Sequence, residues 1–347
     1  MSTSQPDRLL IVRLSSLGDL VHTVPVVPAL RAAFPDAQID WLVDSRWSPL
    51  VRAVRGINEV IPLEPSALGY LRCMERVRRK RYSRVIDFQG IYRSAILAWF
   101  SGAKRRIGRD RNSARERGAS RFYTEKIVPS GQHVAEMSVS LAVHAGARPP
   151  VEMQFPIQVP AEEIIKLRER LSGEGAERYA VLSPGGGWKS KCWPAERFGA
   201  LCAEMSRRYG VRSIINLAPG EEQLGESIVA NSSAAKPMVF CPALPQLIAM
   251  LSQALLVVGG DTGPLHLAAA LGTRVVALFG STNASRNGPL PRGVVIQNHS
   301  SDPPNYQRGD YVRGSSYSPE MLSISLDQVL RVVDEEMSKT SLAPRQA

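Results

Sequence analysis

The chain of 347 residues has no apolar run approaching the ~18 residues of a membrane-spanning helix, and its polar start, MSTSQPDR, is no secretory signal. Both absences point to a cytoplasmic protein. Cysteine is scarce: Cys73, Cys192, Cys202 and Cys241 form no CxxC pair and have no histidine at metal-ligand spacing. Buried or free thiols are therefore expected, rather than disulfides or zinc. No GxGxxG follows the first strand-like run, which argues against a nicotinamide enzyme. A glycine loop, GGGWKS (185–190), places Trp188 between the last glycine and Lys189, so the contiguous GK[ST] of a P-loop is missing. No DxD pair stands ready to hold a metal on a donor loop.

Acids are also thin over one stretch. Between Arg72 and Arg121 there are 16 Lys/Arg against 4 Asp/Glu, while the whole chain carries a net +11. The charge excess thus sits almost entirely in one segment. A block this basic calls for an anionic partner, be it nucleic acid, a membrane surface or an anionic substrate. No nucleic-acid module frames the arginines, so nucleic acid is not expected.

What the sequence does have is alternation. RLLIVRL (8–14) reads as a strand covered on both faces, and residues 20–33 show helical spacing interrupted by Pro25 and Pro28. QIDWLVD (38–44), NEVIPLE (58–64) and RVIDFQG (84–90) read as further strands, with helices expected over 67–80, 91–100 and 132–145. The arginine-rich piece 103–121 shows no period and reads as a loop. PPVEMQFPIQVP (149–160) reads as an interdomain passage. The alternation then restarts with a helix over 161–173, the strand and loop YAVLSPGGG (179–187), and a helix over 194–210 opened by proline and closed by glycine. SIINLAPGEEQ, LLVVGGDTGPLHLAAALG and RVVALFG follow, and residues 326–337 are expected to close the chain as a helix. Two such βα halves predict two parallel-sheet domains facing across a cleft, over 1–155 and 156–325, with a closing helix and tail from 326.

In open α/β sheets ligands sit beyond the carboxyl ends of the strands, so the polar turns there are the candidates. SSLGD (15–19) puts Asp19 between a strand and a helix. GGDTGPLH (259–266) places Asp261, Thr262 and Gly263 at a helix start, where unpaired N–H groups and the helix dipole favour an anion. His266 lies one turn further and can face the same anion. In the glycine loop, Lys189 or Lys191 can neutralise a diphosphate as a point charge. After SIINLAP, Glu221 or Glu222 fits a contact to ribose hydroxyls, and helix N-terminal stabilisation explains either equally well.

Taken in order, RLSSLGDLVHTVPVVPAL, VIDFQGIYRSA, KCWPAERF and GGDTGPLHLAAALGTRVVALFG resemble glycosyltransferase family 9, the bacterial lipopolysaccharide heptosyltransferases. The likeness runs over about residues 8–290. It implies a GT-B fold of two Rossmann-like domains, the first for a Kdo-lipid A acceptor and the second for ADP-L-glycero-β-D-manno-heptose. It further implies transfer with inversion, no structural metal and no cofactor, at the cytoplasmic face of the inner membrane. By motif position, Asp19 resembles the catalytic base. Lys191, Glu222, Asp261, Thr262, Gly263 and His266 match donor-binding positions, Glu222 through the ribose. Arg13, Ser16 and Gly18 flank the base on the acceptor side, and Arg105, Arg106 and Arg109 are the cations expected to meet the anionic acceptor and the membrane surface. Two other readings stay open: a family 9 transferase for another acceptor or nucleotide-sugar, and a nucleotide-binding protein that performs no transfer. In this chain Gly185–Gly187 stand where the family often has phosphate-binding threonines, and SDPPNYQRGDYVRGSS (301–316) matches none of its motifs.

Overall fold

The computed structural model describes residues 7–298 and 316–340, so all but the end of the unmatched 301–316 segment lies outside the described residues. The chain divides into two compact units, Met1–Gln158 and Val159–Ala347. Each is built on a six-stranded, all-parallel sheet.

In the first unit the strands are β1 (Arg8–Val12), β2 (Gln38–Asp44), β3 (Glu59–Leu63), β4 (Arg84–Asp87), β5 (Arg105–Arg109) and β6 (Glu125–Ile127). They lie in the order β3-β2-β1-β4-β5-β6. The second unit repeats the plan with β7 (Tyr179–Ser183), β8 (Arg212–Asn216), β9 (Met238–Phe240), β10 (Val257–Gly260), β11 (Val275–Phe279) and β12 (Val294–Gln297), in the order β12-β11-β10-β7-β8-β9. In each unit the order reverses beside the first strand, between β1 and β4 and between β7 and β10. That is where an open parallel sheet leaves a crevice for a ligand.

The central strands are legible because they are buried on both faces. Leu9, Leu10, Ile11 and Val12 are fully buried in β1, as are Ala180, Val181 and Leu182 in β7. Each such aliphatic side chain removed from water contributes about 1.5–3 kcal/mol before entropy is counted. The helix Ala195–Tyr209 ends at Gly210, whose φ of 60° is the left-handed conformation that glycine adopts without penalty. The closing helix, Leu326–Thr340, packs Val329, Leu330, Val333 and Met337 into the second unit's core.

The arginine-rich segment departs from the expected loop. It contains β5 and a 3₁₀ turn over Arg117–Phe122. In β5 only Ile107 and Gly108 are buried, and a lone apolar residue among arginines carries no readable period. The strand is instead fixed by its ladders to β4 and β6.

Candidate active site

Both switch points are lined by the polar turns singled out above. In the first unit, β1 runs through Arg13 and Leu14 into the short helix Leu17–Val21. Ser16 donates its backbone N–H to Asp19 Oδ2 at 3.3 Å. Asp19 Oδ1 forms an ion pair with Arg13 Nη2 at 2.5 Å, and the Asp19 side chain keeps 27% exposure. The carboxylate therefore caps the turn and faces outward at once. Ser16 is exposed beside it and Gly18 is half-buried.

The neighbouring turn after β4 braces this one, and Gln89 is the residue that sequence reasoning missed. Its side-chain Oε1 accepts the backbone N–H groups of Leu14 and Ser15 at 3.0 and 3.2 Å. The Arg13 guanidinium reaches the same turn by donating to the Phe88 carbonyl. Beneath it, Asp87 accepts the N–H groups of Gln89 (2.8 Å) and Gly90 (3.2 Å), and the hydroxyls of Ser94 (2.7 Å) and Tyr123 (2.6 Å). Burial pushes the Asp87 carboxyl up, and these four donors pull it back. Gly108 makes room for this network, since a Cβ there would lie 2.4 Å from the Tyr123 ring. The signal was present in VIDFQG, but the role of an amide that serves another segment's backbone is invisible without coordinates.

In the second unit the turns after β7 and β10 meet. Lys191 closes a short 3₁₀ turn, Lys189–Lys191, and its Nζ donates to Asp261 Oδ2 at 2.8 Å. Asp261 Oδ1 lies 2.9 Å from His266 Nε2, one turn into the helix Gly263–Ala270. Burial alone would raise the Asp261 carboxyl. The His266 hydrogen bond and the Lys191 charge outweigh it and hold the group well below the usual carboxylate range. Lys191 Nζ also sits 5.0 Å from the Trp188 ring centroid. Gly259 and Gly260 permit this approach, because a Cβ at Gly260 would lie 2.6 Å from the Lys191 carbonyl. Thr262 caps the helix in extended conformation, and its buried hydroxyl oxygen has no hydrogen-bond partner among the described residues. With Pro264 at the second helical position, the helix start offers few N–H donors besides Gly263 and Leu265.

The two glutamates after β8 separate. Glu221 accepts the Ala218 N–H at 2.8 Å, and its carboxylate lies against Gly185 of the glycine loop. Glu222 is exposed and accepts the Gly220 N–H at 3.0 Å, which lowers its carboxyl below the usual value. The three arginines of β5 also separate. Arg105 forks onto Glu125 at 2.7 and 2.9 Å, and Arg106 donates to the Phe122 and Ala103 carbonyls. Both begin the strand, at the end away from Asp19. Arg109 ends it, with its Cδ 3.7 Å from where a Gly90 Cβ would be, beside the Gln89 turn.

Each unit thus assembles what one half of a group transfer needs. The first offers a braced, outward carboxylate at a strand's carboxyl end. The second offers a lysine, a buried carboxylate and a histidine in contact beside a helix start.

Comparisons with known proteins bear on the family and the fold. The family Glycosyltransferase family 9 (heptosyltransferase) matches residues 70–313. Lipopolysaccharide heptosyltransferase 1 of Pseudomonas aeruginosa is 31% identical over 303 residues, covering 83% of this chain and 82% of its own length. Its Escherichia coli K12 counterpart is 28% identical, covering 83% and 92%. Among solved structures, E. coli ADP-heptose lps heptosyltransferase II is similar with a TM-score of 0.79 at 21% identity, covering 96% of this chain and 99% of that one. E. coli heptosyltransferase WaaC with ADP gives 0.74 at 24% identity, covering 95% and 99%. At those identities the structures speak for the fold. Together, the family match, the identity to the P. aeruginosa enzyme and the two repeated sheets make the chain a heptosyltransferase of glycosyltransferase family 9, with the GT-B fold.

Proposed function

We propose that the enzyme moves L-glycero-D-manno-heptose from ADP-L-glycero-β-D-manno-heptose to Kdo-lipid A in the inner core of lipopolysaccharide, inverting the anomeric centre. The observation that carries this is the Lys191–Asp261–His266 constellation at the switch point of the second unit. The names of the relatives support the sugar and the pathway, and a solved relative holds ADP-2-deoxy-2-fluoro heptose.

In this reading the donor diphosphate takes its charge compensation from Lys191 and from the start of the helix Gly263–Ala270. Asp261, kept ionised, holds Lys191 and His266 in place for the departing ADP. The Thr262 hydroxyl and the Gly263 N–H supply hydrogen bonds to phosphate, replacing the threonines absent from Gly185–Gly187. Glu222, exposed on its turn, takes the ribose hydroxyls, while Glu221 shapes the glycine loop. On the acceptor side Asp19 accepts the proton of the attacking hydroxyl as ADP leaves. A single inverting displacement needs that base on the face opposite the leaving group. Arg13 fixes the Asp19 rotamer, and Ser16, Gly18 and Arg109 border the acceptor.

The acceptor's lipid phosphates and sugar carboxylates give the basic segment a use at the cytoplasmic face of the inner membrane. Among the described residues no helix is long and apolar enough to cross a membrane.

Mass spectrometry after incubation with ADP-heptose and Kdo-lipid A tests the assignment. The expected product is the acceptor plus one heptose, with ADP released. Unchanged Kdo-lipid A beside heptosylation of a different acceptor would contradict it.

A further inference from the structure

The helix Tyr92–Phe100 is apolar on both sides. Ser94, Ala95, Leu97 and Ala98 face the sheet and are buried. Tyr92, Ile96, Trp99 and Phe100, spaced as one outward stripe, are not, and Trp99 keeps 50% exposure. Their rings form a cluster with Phe122: Trp99–Phe100 at 4.9 Å, Trp99–Phe122 at 6.3 Å and Tyr92–Phe122 at 6.4 Å. The neighbouring helix Ala67–Arg79, tied to this one by the Tyr70 hydroxyl donating to the Arg93 carbonyl, adds exposed Leu68 and Leu71.

The apolar stripe is ringed by cations. Lys104, Arg117 and Arg121 are exposed around it, Arg93 is exposed but pairs with Asp44, and the Arg78 guanidinium lies against Gly102 just past the helix end. Each of the four acids of this segment is either buried or already partnered, two of them, Glu75 and Glu116, on this face. Asp87 is buried, Glu75 pairs with Arg79, Glu116 accepts the Tyr92 N–H, and Asp110 accepts from Ser113.

From this juxtaposition we propose that the outer face of the two helices docks on an anionic bilayer, with the aromatic cluster at headgroup depth and the surrounding cations on lipid phosphates. Charge complementarity selects this occupant. A nucleic acid would meet the cations and leave the Trp99–Phe100 stripe in water. A bilayer surface offers a broad anionic field and an interface that Trp, Tyr and Phe favour. The inference rests on the proposed function, in which the acceptor is anchored in a membrane, and it names the residues that would bring the enzyme there.

The test is flotation of the full chain with vesicles of phosphatidylethanolamine and phosphatidylglycerol, against phosphatidylcholine alone. The wild type should float with the anionic vesicles and be released by salt. W99A/F100A should weaken that binding about tenfold or more. A triple K104A/R117A/R121A variant should weaken it by about a hundredfold. Turnover on an acyl-free acceptor sugar in solution should stay unchanged in W99A/F100A. That second readout belongs to the proposed reaction, so docking and chemistry fail separately. Absence of wild-type binding to the anionic vesicles, or equal binding by the variants, would overturn the docking surface. So would self-association of the wild type that W99A/F100A abolishes, which would assign the face to a second copy of the chain.

Discussion

Lys191 and Asp261 stand 70 positions apart in the sequence and 2.8 Å apart in space, each on a turn that flanks the same switch point. Neither turn alone holds all the charged groups. Together they join a cation, a buried anion and a histidine, so the lysine is held in place by the protein itself.

Removing the lysine should therefore cost donor affinity directly. Lys191→Ala is expected to weaken ADP binding by about 1.5–3 kcal/mol, the usual range for a charge-assisted contact. Calorimetry checks this, and unchanged affinity would take Lys191 out of the donor site.

Asp261→Asn should act first on stability. Breaking a buried pair leaves a charge uncompensated, at about 3–5 kcal/mol. The folded Asp261 carboxyl is depressed below its unfolded value. Its contribution is thus complete above the unfolded value of about 4, and is lost as pH falls toward the folded one. Urea denaturation across pH should show a constant gap between wild type and variant at neutral pH that narrows in acid. A gap that widens in acid would contradict the assignment of the ionised form.

The arginines of β5 should divide by position. Arg105→Ala is expected to cost about 0.2–1 kcal/mol of stability through its Glu125 fork and to leave acceptor kinetics nearly unchanged. Arg109→Ala should instead raise the acceptor KM with ADP affinity intact, and added salt should mimic it because exposed charges are screened over about 8–10 Å. Steady-state kinetics on the two variants separates these outcomes.

This division shows where reading the sequence stopped. The central strands β1, β7 and β10 were legible because burial on both faces produces unbroken aliphatic runs, and their turns stood out through glycine and acid at the run's end. β5 was not, since arginine stems hide the period of a strand held mainly by its ladders. Charge alone grouped Arg105, Arg106 and Arg109, and only coordinates show Glu125 and two carbonyls occupying the first two. Gln89 and Asp87 escaped notice for a related reason. Their partners are backbone groups or distant hydroxyls, Gln89 bonding Leu14 75 positions away.

Turnover should survive chelation. In the proposed reaction the departing ADP is stabilised by Lys191, His266 and helix-end donors, and the sequence has no DxD pair to recruit a metal. An assay in EDTA is expected to give the untreated rate. Loss of turnover restored by magnesium would contradict this account of the leaving group.

The central claim is that Asp19 is the base, and it is tested most directly by kcat of Asp19→Asn. An asparagine still caps the turn but cannot accept the proton, so a role confined to capping predicts a near-normal rate. The account predicts a fall in kcat of about 10²–10⁴-fold with ADP affinity preserved. Turnover near the wild-type rate would make Asp19 a structural cap and send the search for the base elsewhere.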